Sequence, residues 1–296
     1  MDALVEWGYL VIQTLQTYRH PFFDFLFKVF DLIGNEEFTV VFIIILYWMV
    51  DKRLGTRFAA LVIFSTYLNA LAKAIIVQPR PSSTQVAVLV EAEGGGLPSG
   101  HTQTAVVSWG FLARAYSRSW FRWLMGFLIV AMGLSRVYLG VHFPHDVLLG
   151  WLLGALLLWL YITFGTRIES WLAAQPLTQQ IAIPAGVVLL LILLFHSEDA
   201  LKSMSSLFGL TISVPLERIW VRFKERGGGW LKGIVRFVLG LLVAVVIWQG
   251  LKPFLAPLDV VGGFVRYSLL GIWVGVGAPW MFVKSGLTEQ EDVVVG

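Results

Sequence analysis

KAIIVQPRP, residues 73–81, is the first of three short polar segments that interrupt an otherwise apolar chain. The second is PSGH, residues 98–101, and the third is SRVYLGVHFPHD, residues 135–146. Together they supply lysine and arginine side chains, well-spaced histidines and a carboxylate. Cations can hold a phosphate ester, one imidazole can attack it, and another can protonate the group that leaves. The three segments therefore predict a site for phosphate-ester chemistry.

The sequence around these segments is typical of a membrane protein. The chain has 296 residues, of which 57% are hydrophobic and 14% are charged, and its mean hydropathy is +0.75. A soluble domain is about 25% charged. Apolar runs of membrane-spanning length recur, which predicts an all-α, polytopic transmembrane helical bundle with about eight to nine spans. The chain has no cysteine, which excludes disulfides and thiolate metal sites.

The apolar runs predict where the spans lie. They cover residues 38–50, 58–77, 102–115, 123–134, 147–164, 181–195, 201–216, 237–251 and 264–283. Residues 1–33 are amphipathic, with a break at His20-Pro21, and we expect two helices lying in the membrane interface. Whether one of these two helices spans the membrane stays open.

The same pattern predicts three parts of the chain. Residues 1–34 form the interfacial segment, residues 35–170 the catalytic core bundle, and residues 171–296 additional transmembrane helices. The last part carries no motif with an assignable chemistry. Its helices are candidates for a lipid-facing wall or a homodimer interface, and the sequence leaves both open.

The basic residues predict the orientation in the cell membrane. More than half of the 22 lysine and arginine residues fall in loops that the threading places on one side, which should be cytoplasmic: Lys52, Arg53, Arg57, Arg114, Arg118, Arg122, Arg167, Arg218, Arg222, Lys224, Arg226, Lys232, Arg236 and Lys284. All three polar segments then lie on the opposite, extracytoplasmic side. Because these cations sit in short loops between spans, the net charge of +3 does not indicate nucleic-acid binding.

Lys73 and Arg80 are the candidate cations of the first segment. They are seven residues apart, which is two helical turns, so they can face the same direction. Pro79 and Pro81 should end the helix and let Arg80 turn toward a pocket. The alternative for either residue alone is that its charged end reaches back to the membrane surface.

The PSGH segment lies where a loop becomes a helix. A helix start offers free backbone N–H groups to an anion. Ser99 can cap the helix, Gly100 lets the backbone approach the anion closely, and His101 then lies beside it. The alternative is an ordinary serine cap with an incidental histidine.

The third segment adds Arg136 and a histidine–carboxylate pair. Asp146 begins a helix one turn after His142, so a hydrogen bond between them can fix the tautomer and orient a nucleophile. A structural role is the alternative for His142. We interpret His145 as a rim residue. A metal site on His142 and His145 lacks further ligands of suitable spacing.

The three patterns resemble those of the type 2 phosphatidic acid phosphatase superfamily. K-x6-R-P, P-S-G-H and S-R-x5-H-x3-D match at every defining position and in order, over about residues 60 to 165. That superfamily includes lipid phosphate phosphatases, bacterial undecaprenyl-pyrophosphate phosphatases, glucose-6-phosphatase and soluble vanadium haloperoxidases. The segment GNEEF at residues 34–38 and Val90-Glu91 are similar to the sphingosine-phosphate phosphatase subgroup.

The resemblance implies a role for each matching residue. The phosphoryl oxygens would be bound by Lys73, Arg80, Ser99, Gly100 and Arg136. His142 would attack phosphorus and form a phosphohistidine, His101 would protonate the leaving alkoxide, and Asp146 would orient His142. The segments contain no carboxylate cluster for Mg²⁺, so we expect chemistry without metal or other cofactor.

The sequence therefore predicts an integral-membrane phosphatase for lipid phosphates or pyrophosphates. Its expected partners are the lipid substrate and the bilayer. A phosphotransferase, in which a lipid hydroxyl replaces water, is the enzymatic alternative. A lipid transporter or a scaffold is the alternative without chemistry, although no internal repeat supports a transporter.

Overall fold

The computed structural model describes residues 2–291, and this part of the chain is helical. Within it, the only strand-like pairing is an isolated bridge between Phe223 and Gln290. The helices are α1 Asp2–Gln16, α2 Pro21–Gly34, α3 Glu36–Ile45, α4 Lys52–Ile75, α5 Gly100–Ala115, α6 Ser119–Tyr138, α7 Pro144–Leu160, α8 Thr166–Ala173, α9 Leu177–Leu194, α10 Glu198–Leu216, α11 Gly229–Val245, α12 Lys252–Leu255, α13 Asp259–Ile272 and α14 Ala278–Lys284. Single π-helical turns follow α3, α7, α10, α11 and α13.

Five helical segments in residues 2–291 are long and apolar enough to cross a membrane. They are Lys52–Ile75, Ser119–Tyr138, Pro144–Ala173, Leu177–Leu194 and Gly229–Lys284. The all-α membrane fold predicted from composition is therefore confirmed, and the protein is an integral membrane protein. The count of eight to nine spans stays a prediction. For example, α5 has 16 residues, fewer than the roughly 20 that a span needs.

The described chain forms two compact units. One contains residues 1–40 and 68–166, and the other contains residues 41–67 and 167–296. The amphipathic residues 1–34 thus belong to the same unit as the three polar segments. The predicted functional division at residues 34 and 170 stays a prediction.

The first unit is built around α5, which packs against both α6 and α7. Gly150 and Gly154 line the face of α7 that meets α5. A Cβ on Gly150 would lie 2.6 Å from the Ser99 carbonyl oxygen, and one on Gly154 would lie 2.7 Å from the Gln103 carbonyl oxygen. Small residues four apart allow helix backbones to approach this closely. The approach brings the start of α7 beside the start of α5, where the Ser99 N–H donates to the Asp146 carbonyl oxygen at 3.1 Å.

The N-terminal helices pack on the same unit. α1 contacts α6 and α7, and α2 contacts α5 and α6. Gln16 of α1 donates to the carbonyl oxygens of Ala87 and Tyr138 at 2.7 and 2.9 Å. The ring of Phe27 in α2 lies 4.4 Å from that of Tyr138. The predicted break at His20-Pro21 separates the two helices, because Pro21 is the first residue of α2 and the His20 ring accepts a hydrogen bond from the Phe22 N–H.

The end of α4 differs from the prediction. The spacing of Lys73 and Arg80 suggested two turns of one helix, but α4 ends at Ile75. Lys73 therefore lies in the last helical turn, and Arg80 lies in the loop that follows. Pro79 and Pro81 restrict the backbone before them to extended conformations, so the helix stops before the first proline rather than at it.

The second unit has its own core. Tyr47, Trp48, Phe223 and Phe282 belong to a buried cluster. α10 packs closely against α13, with Gly209 and Gly271 at the contact. This unit holds none of the residues predicted to carry the chemistry.

Candidate active site

All eight predicted site residues lie in the first unit, on the ends of its helices and in the loops between them. Lys73 is in the last turn of α4, and Arg80 is in the loop after it. The start of α5 contributes Ser99, Gly100 and His101. Arg136 lies in the last turn of α6, His142 in the connection to α7, and Asp146 in the first turn of α7.

His142 lies between a cation and a carboxylate. Its Nδ1 is 3.2 Å from Asp146 Oδ2, and its Nε2 is 2.9 Å from Arg80 Nη1. An arginine can only donate, so Nε2 must be the acceptor of that hydrogen bond. The proton of a neutral imidazole is then on Nδ1, where it is donated to Asp146. The geometry therefore fixes the tautomer that leaves the Nε2 lone pair available.

Asp146 is fully buried, and several donors hold it in place. Oδ2 also accepts the Phe143 N–H at 2.9 Å, and Oδ1 accepts Gln78 Nε2 at 2.9 Å. The first of these bonds satisfies a free N–H at the start of α7, with Pro144 as the first helical residue. The local sequence Phe-Pro-His-Asp thus both starts the helix and orients the carboxylate. Gln78 was not among the predicted site residues, although it lies inside the KAIIVQPRP segment.

Arg80 is held by backbone carbonyl groups. Its Nε and Nη2 donate to the carbonyl oxygens of Gly94 and Glu93 at 3.1 and 2.6 Å, and Nη1 also donates to that of Val141 at 3.0 Å.

Burial and the positive charges of Arg80, Lys73 and Arg136, in that order, hold the pKa of His142 well below its usual range. His142 is therefore neutral at physiological pH, as a nucleophile must be.

Two of the predicted phosphate-binding residues, Arg136 and Ser99, each have a buried donor without a hydrogen-bond partner in the described part of the chain. Arg136 is 2% exposed, and its Nη1 binds Asp31 at 2.7 Å while its Nη2 has no hydrogen-bond partner. Ser99 is at the N-cap position of α5 as expected, but its hydroxyl makes no capping hydrogen bond and has no other partner. The predicted capping role of the Ser99 side chain is therefore wrong. Buried donors without partners are rare in folded proteins, and phosphoryl oxygens would satisfy both.

His101 contacts Asp31 in α2 and Asn35, the residue that follows α2. Its Nε2 is 3.2 Å from Asn35 Oδ1 and 3.6 Å from Asp31 Oδ1. Neither Asp31 nor Asn35 was predicted for the site. Asp31 is one of three charged residues of α2, with Asp24 and Lys28, and the amphipathic pattern assigned all three to the membrane interface.

His145 contacts two residues around the candidate nucleophile. Its Nε2 is 2.8 Å from Gln78 Nε2 and 3.3 Å from Asp146 Oδ1, and its ring stacks on Phe143. The ring is partly exposed, so the interpretation as a rim residue stays a prediction, to which the structure adds contacts with Gln78 and Asp146. In the part of the chain that the structure describes, no three His, Cys, Asp or Glu side chains are grouped so as to hold a metal ion.

The chain is similar to known phosphatases. It is 30% identical over 168 residues to mouse sphingosine-1-phosphate phosphatase 2, and this region is 54% of the chain and 47% of that relative. The chain thus spans about half the length of this relative. It is 28% identical to mouse glucose-6-phosphatase 3 over 98% of both chains.

A solved structure is similar in fold to more than half of the chain. The PAP2-type phosphatidylglycerolphosphate phosphatase of Bacillus subtilis superposes with a TM-score of 0.51 and 26% identity, over 57% of this chain and 89% of that one. Two family models also match this chain. The PAP2 superfamily model matches residues 54–169, and the PAP2 superfamily phosphatase transmembrane extension matches residues 201–290. The chain therefore belongs to the PAP2 superfamily of membrane phosphatases and combines its phosphatase domain with its transmembrane extension.

Proposed function

We propose that the chain hydrolyses lipid phosphate or pyrophosphate monoesters through a phosphohistidine formed on His142. The arrangement around His142 carries the proposal. The Nδ1 proton of His142 is donated to the Asp146 carboxylate, and Nε2 lies 2.9 Å from the Arg80 guanidinium. A phosphoryl group bound by Arg80 would therefore lie beside the lone pair that attacks it.

The proposed reaction has two steps. In the first, His142 Nε2 forms a bond to phosphorus while the bond to the leaving oxygen breaks, and His101 gives a proton to that oxygen. In the second, water attacks phosphorus and gives a proton to His101, the N–P bond breaks, and phosphate leaves. His101 and His142 end in their starting states. The carboxylate of Asp146 stabilises the positive ring of the intermediate, as a third group does in nucleophilic triads.

Three cations would supply the charge stabilisation that a metal supplies in other phosphatases. Lys73, Arg80 and Arg136 face a phosphate of charge near −2, and fixed charges of this kind are usually the largest catalytic contribution. The buried, unpartnered Arg136 Nη2 and Ser99 hydroxyl add donors for its oxygens. We therefore propose that the reaction needs no metal.

The lipid class of substrate follows from the setting of the site. Its residues lie at the ends of apolar helices, where a lipid would present its headgroup. The bias of basic residues supports an extracytoplasmic location for that end. The mouse relative named for sphingosine 1-phosphate also supports a lipid phosphate. Undecaprenyl pyrophosphate, phosphatidate, phosphatidylglycerophosphate and sphingoid-base phosphates are the candidates.

A soluble sugar phosphate is the second candidate. The similarity to glucose-6-phosphatase 3 covers 98% of both chains, including residues beyond the phosphatase domain. The chemistry at His142 would be the same, and only the alcohol that leaves would differ. Hydrolysis of glucose 6-phosphate in preference to every lipid would establish this candidate.

Phosphate release tests the proposal. Purified protein in detergent, with EDTA present, is given a panel of lipid phosphates and glucose 6-phosphate. We expect wild type to release phosphate and His142→Ala to release none, and the preferred substrate names the class. Well-folded wild type that releases no phosphate but phosphorylates a lipid alcohol is a phosphotransferase. No turnover of either kind would point to a transporter or scaffold built on this fold.

A further inference from the structure

The end of α2 forms a cradle for His101. Asp31 in the last turn and Asn35 just after the helix both place a side-chain oxygen near Nε2 of that ring, at 3.6 and 3.2 Å. Gly34 lies against the ring as well, since a Cβ there would collide with His101 Cδ2. The position of α2 itself is fixed by its packing on α5 and α6.

The cradle determines which ring nitrogen can act on the substrate. An oxygen acceptor at Nε2 favours a proton on that nitrogen. Asn35 Oδ1 lies at hydrogen-bond distance, and the Asp31 carboxylate lies within the range of an ion pair when the ring is positively charged. Nδ1 is then the nitrogen left for the leaving oxygen. A general acid must carry its second proton on that nitrogen before the bond to phosphorus breaks.

Charge makes the carboxylate important. Four charged or titratable groups lie around His101. They are Lys73 from α4, Arg80 from the following loop, Arg136 from α6 and His142 from the α6–α7 connection. Burial first, and then these surrounding groups, lower the pKa of His101 well below its usual range, so its protonated form needs a negative charge beside it. Asp31 is the carboxylate in contact with the ring, and at 2.7 Å from Arg136 Nη1 it is also paired with one of those cations.

We propose that Asp31, with Asn35, positions His101 as the general acid for leaving-group departure and supports its protonated form. Asp31 is a positioning residue, since it acts through His101 and Arg136. The proposal rests on the proposed function above. In the first step the imidazolium gives its Nδ1 proton to the leaving oxygen, which keeps the electron pair of the broken P–O bond. The neutral ring keeps its Nε2 proton, donated to the cradle.

The cradle lies outside the matched phosphatase domain. Asp31 and Asn35 precede residue 54, where the PAP2 superfamily match begins. The amphipathic N-terminal helices are therefore assigned a part in the chemistry as well as in membrane attachment. Without α2, the domain would retain its phosphate-binding cations and nucleophile, but its acid would lack this support.

Leaving-group dependence tests the proposal. Phenyl phosphate and p-nitrophenyl phosphate have nearly the same shape, but only the phenolate that leaves from the first needs a proton as it departs. We measure kcat/KM, which reports the first step, for purified wild type, His101→Ala and Asp31→Asn. We expect Asp31→Asn to lower the value for phenyl phosphate at least about tenfold more than for p-nitrophenyl phosphate, as a lost general acid does. His101→Ala should show the same selectivity, more strongly.

A matched control variant lies on the same helix. Asp24 also holds α2 to α6, through Tyr138 at 2.7 Å, and it pairs with Arg19 rather than with His101. Asp24→Asn should lower both activities equally or leave both unchanged. A merely structural role for Asp31 would make Asp31→Asn resemble this control.

Further measurements separate the ways in which the proposal can fail. Asn35→Ala leaves the Arg136 pair intact, so it should reproduce the selectivity of Asp31→Asn in weaker form even if Asp31→Asn folds poorly. Equal losses for both substrates in Asp31→Asn and Asn35→Ala would overturn the positioning role. Equal losses in His101→Ala would overturn His101 as the acid. If wild type hydrolyses neither aryl phosphate nor any lipid phosphate, the proposed function fails instead.

Discussion

The hydrogen bond between Arg80 and His142 couples phosphate binding to the proposed nucleophile. The hydrogen bond from Arg80 Nη1 occupies the Nε2 lone pair that attacks phosphorus in the proposed reaction. A phosphate oxygen is a stronger, charge-assisted acceptor for a guanidinium than a neutral imidazole is. Substrate binding would therefore draw Arg80 away from Nε2 and free the nucleophile in the same event. Carbonyl groups of Glu93, Gly94 and Val141 keep Arg80 from moving far.

The pH dependence of hydrolysis should report the cations around His142. Burial and then Arg80, Lys73 and Arg136 lower its pKa below the usual value. Only the neutral ring attacks, so activity should persist below that usual value and be lost as pH falls through the lowered pKa. Lys73→Met removes one of the cations, which raises the pKa. We expect the acidic limb of kcat/KM to move up by roughly one pH unit.

The comparison of wild type with Lys73→Met contains its own control. The second ionisation of a phosphate monoester also falls near pH 6, but it is identical for both proteins and cancels in the shift. The variant should also lose on the order of 10²-fold in rate, because a contact to phosphate is gone. A rate loss with an unmoved acidic limb would show that the limb belongs to another group.

At the scale of helices, the contact between α5 and α7 sets the distance between His101 and Asp146. Gly150 allows it, since a Cβ there would meet Thr102 Oγ1 and, at 2.6 Å, the Ser99 carbonyl oxygen. The Ser99 carbonyl oxygen belongs to the backbone, so it cannot rotate away from an added Cβ as the end of a flexible side chain can. Gly150→Ala should therefore push α7 away from α5, lower the free energy of unfolding by about 1–3 kcal/mol, and reduce phosphate release.

Gly126 of α6 provides the comparison for that change. It is exposed, and a Cβ there would have no neighbour within 4 Å. Alanine favours helix over glycine by up to about 1 kcal/mol, so Gly126→Ala should leave the Tm unchanged or raise it. Thermal unfolding in detergent and phosphate release are measured for both variants. Equal Tm values for the two would show that α7 is not held by this contact.

Much of this architecture could be predicted from the sequence. Apolar runs located most of the helices, because burial in lipid requires long uninterrupted stretches. The three motifs located His142, Asp146 and Arg136, because each lies next to a helix end that the local sequence marks. The sequence pattern does not predict contacts between residues that are far apart in the chain. Asp31 reaches Arg136 across 105 positions, and nothing local in α2 indicates that contact.

At the scale of the whole molecule, the orientation in the membrane is the prediction with the most consequences. It decides whether the substrate reaches the site from the cytoplasm or from outside. The argument depends on the bias of lysine and arginine toward one set of loops, and Lys73, Arg80 and Arg136 are exceptions to that bias. Charged residues that lie in a position the membrane disfavours are candidates for function.

Labelling of single cysteines tests this orientation, and the chain has no native cysteine to interfere. Ser83, in the loop after α4, and Ser117, between α5 and α6, are both exposed. We expect a membrane-impermeant maleimide to label Ser83→Cys in sealed cells, and to label Ser117→Cys only after permeabilisation. The two substitutions are chemically identical, so a difference in labelling reports the side of the membrane. The opposite pattern would place the site in the cytoplasm, and the substrate would then be a phosphate ester presented at the inner leaflet.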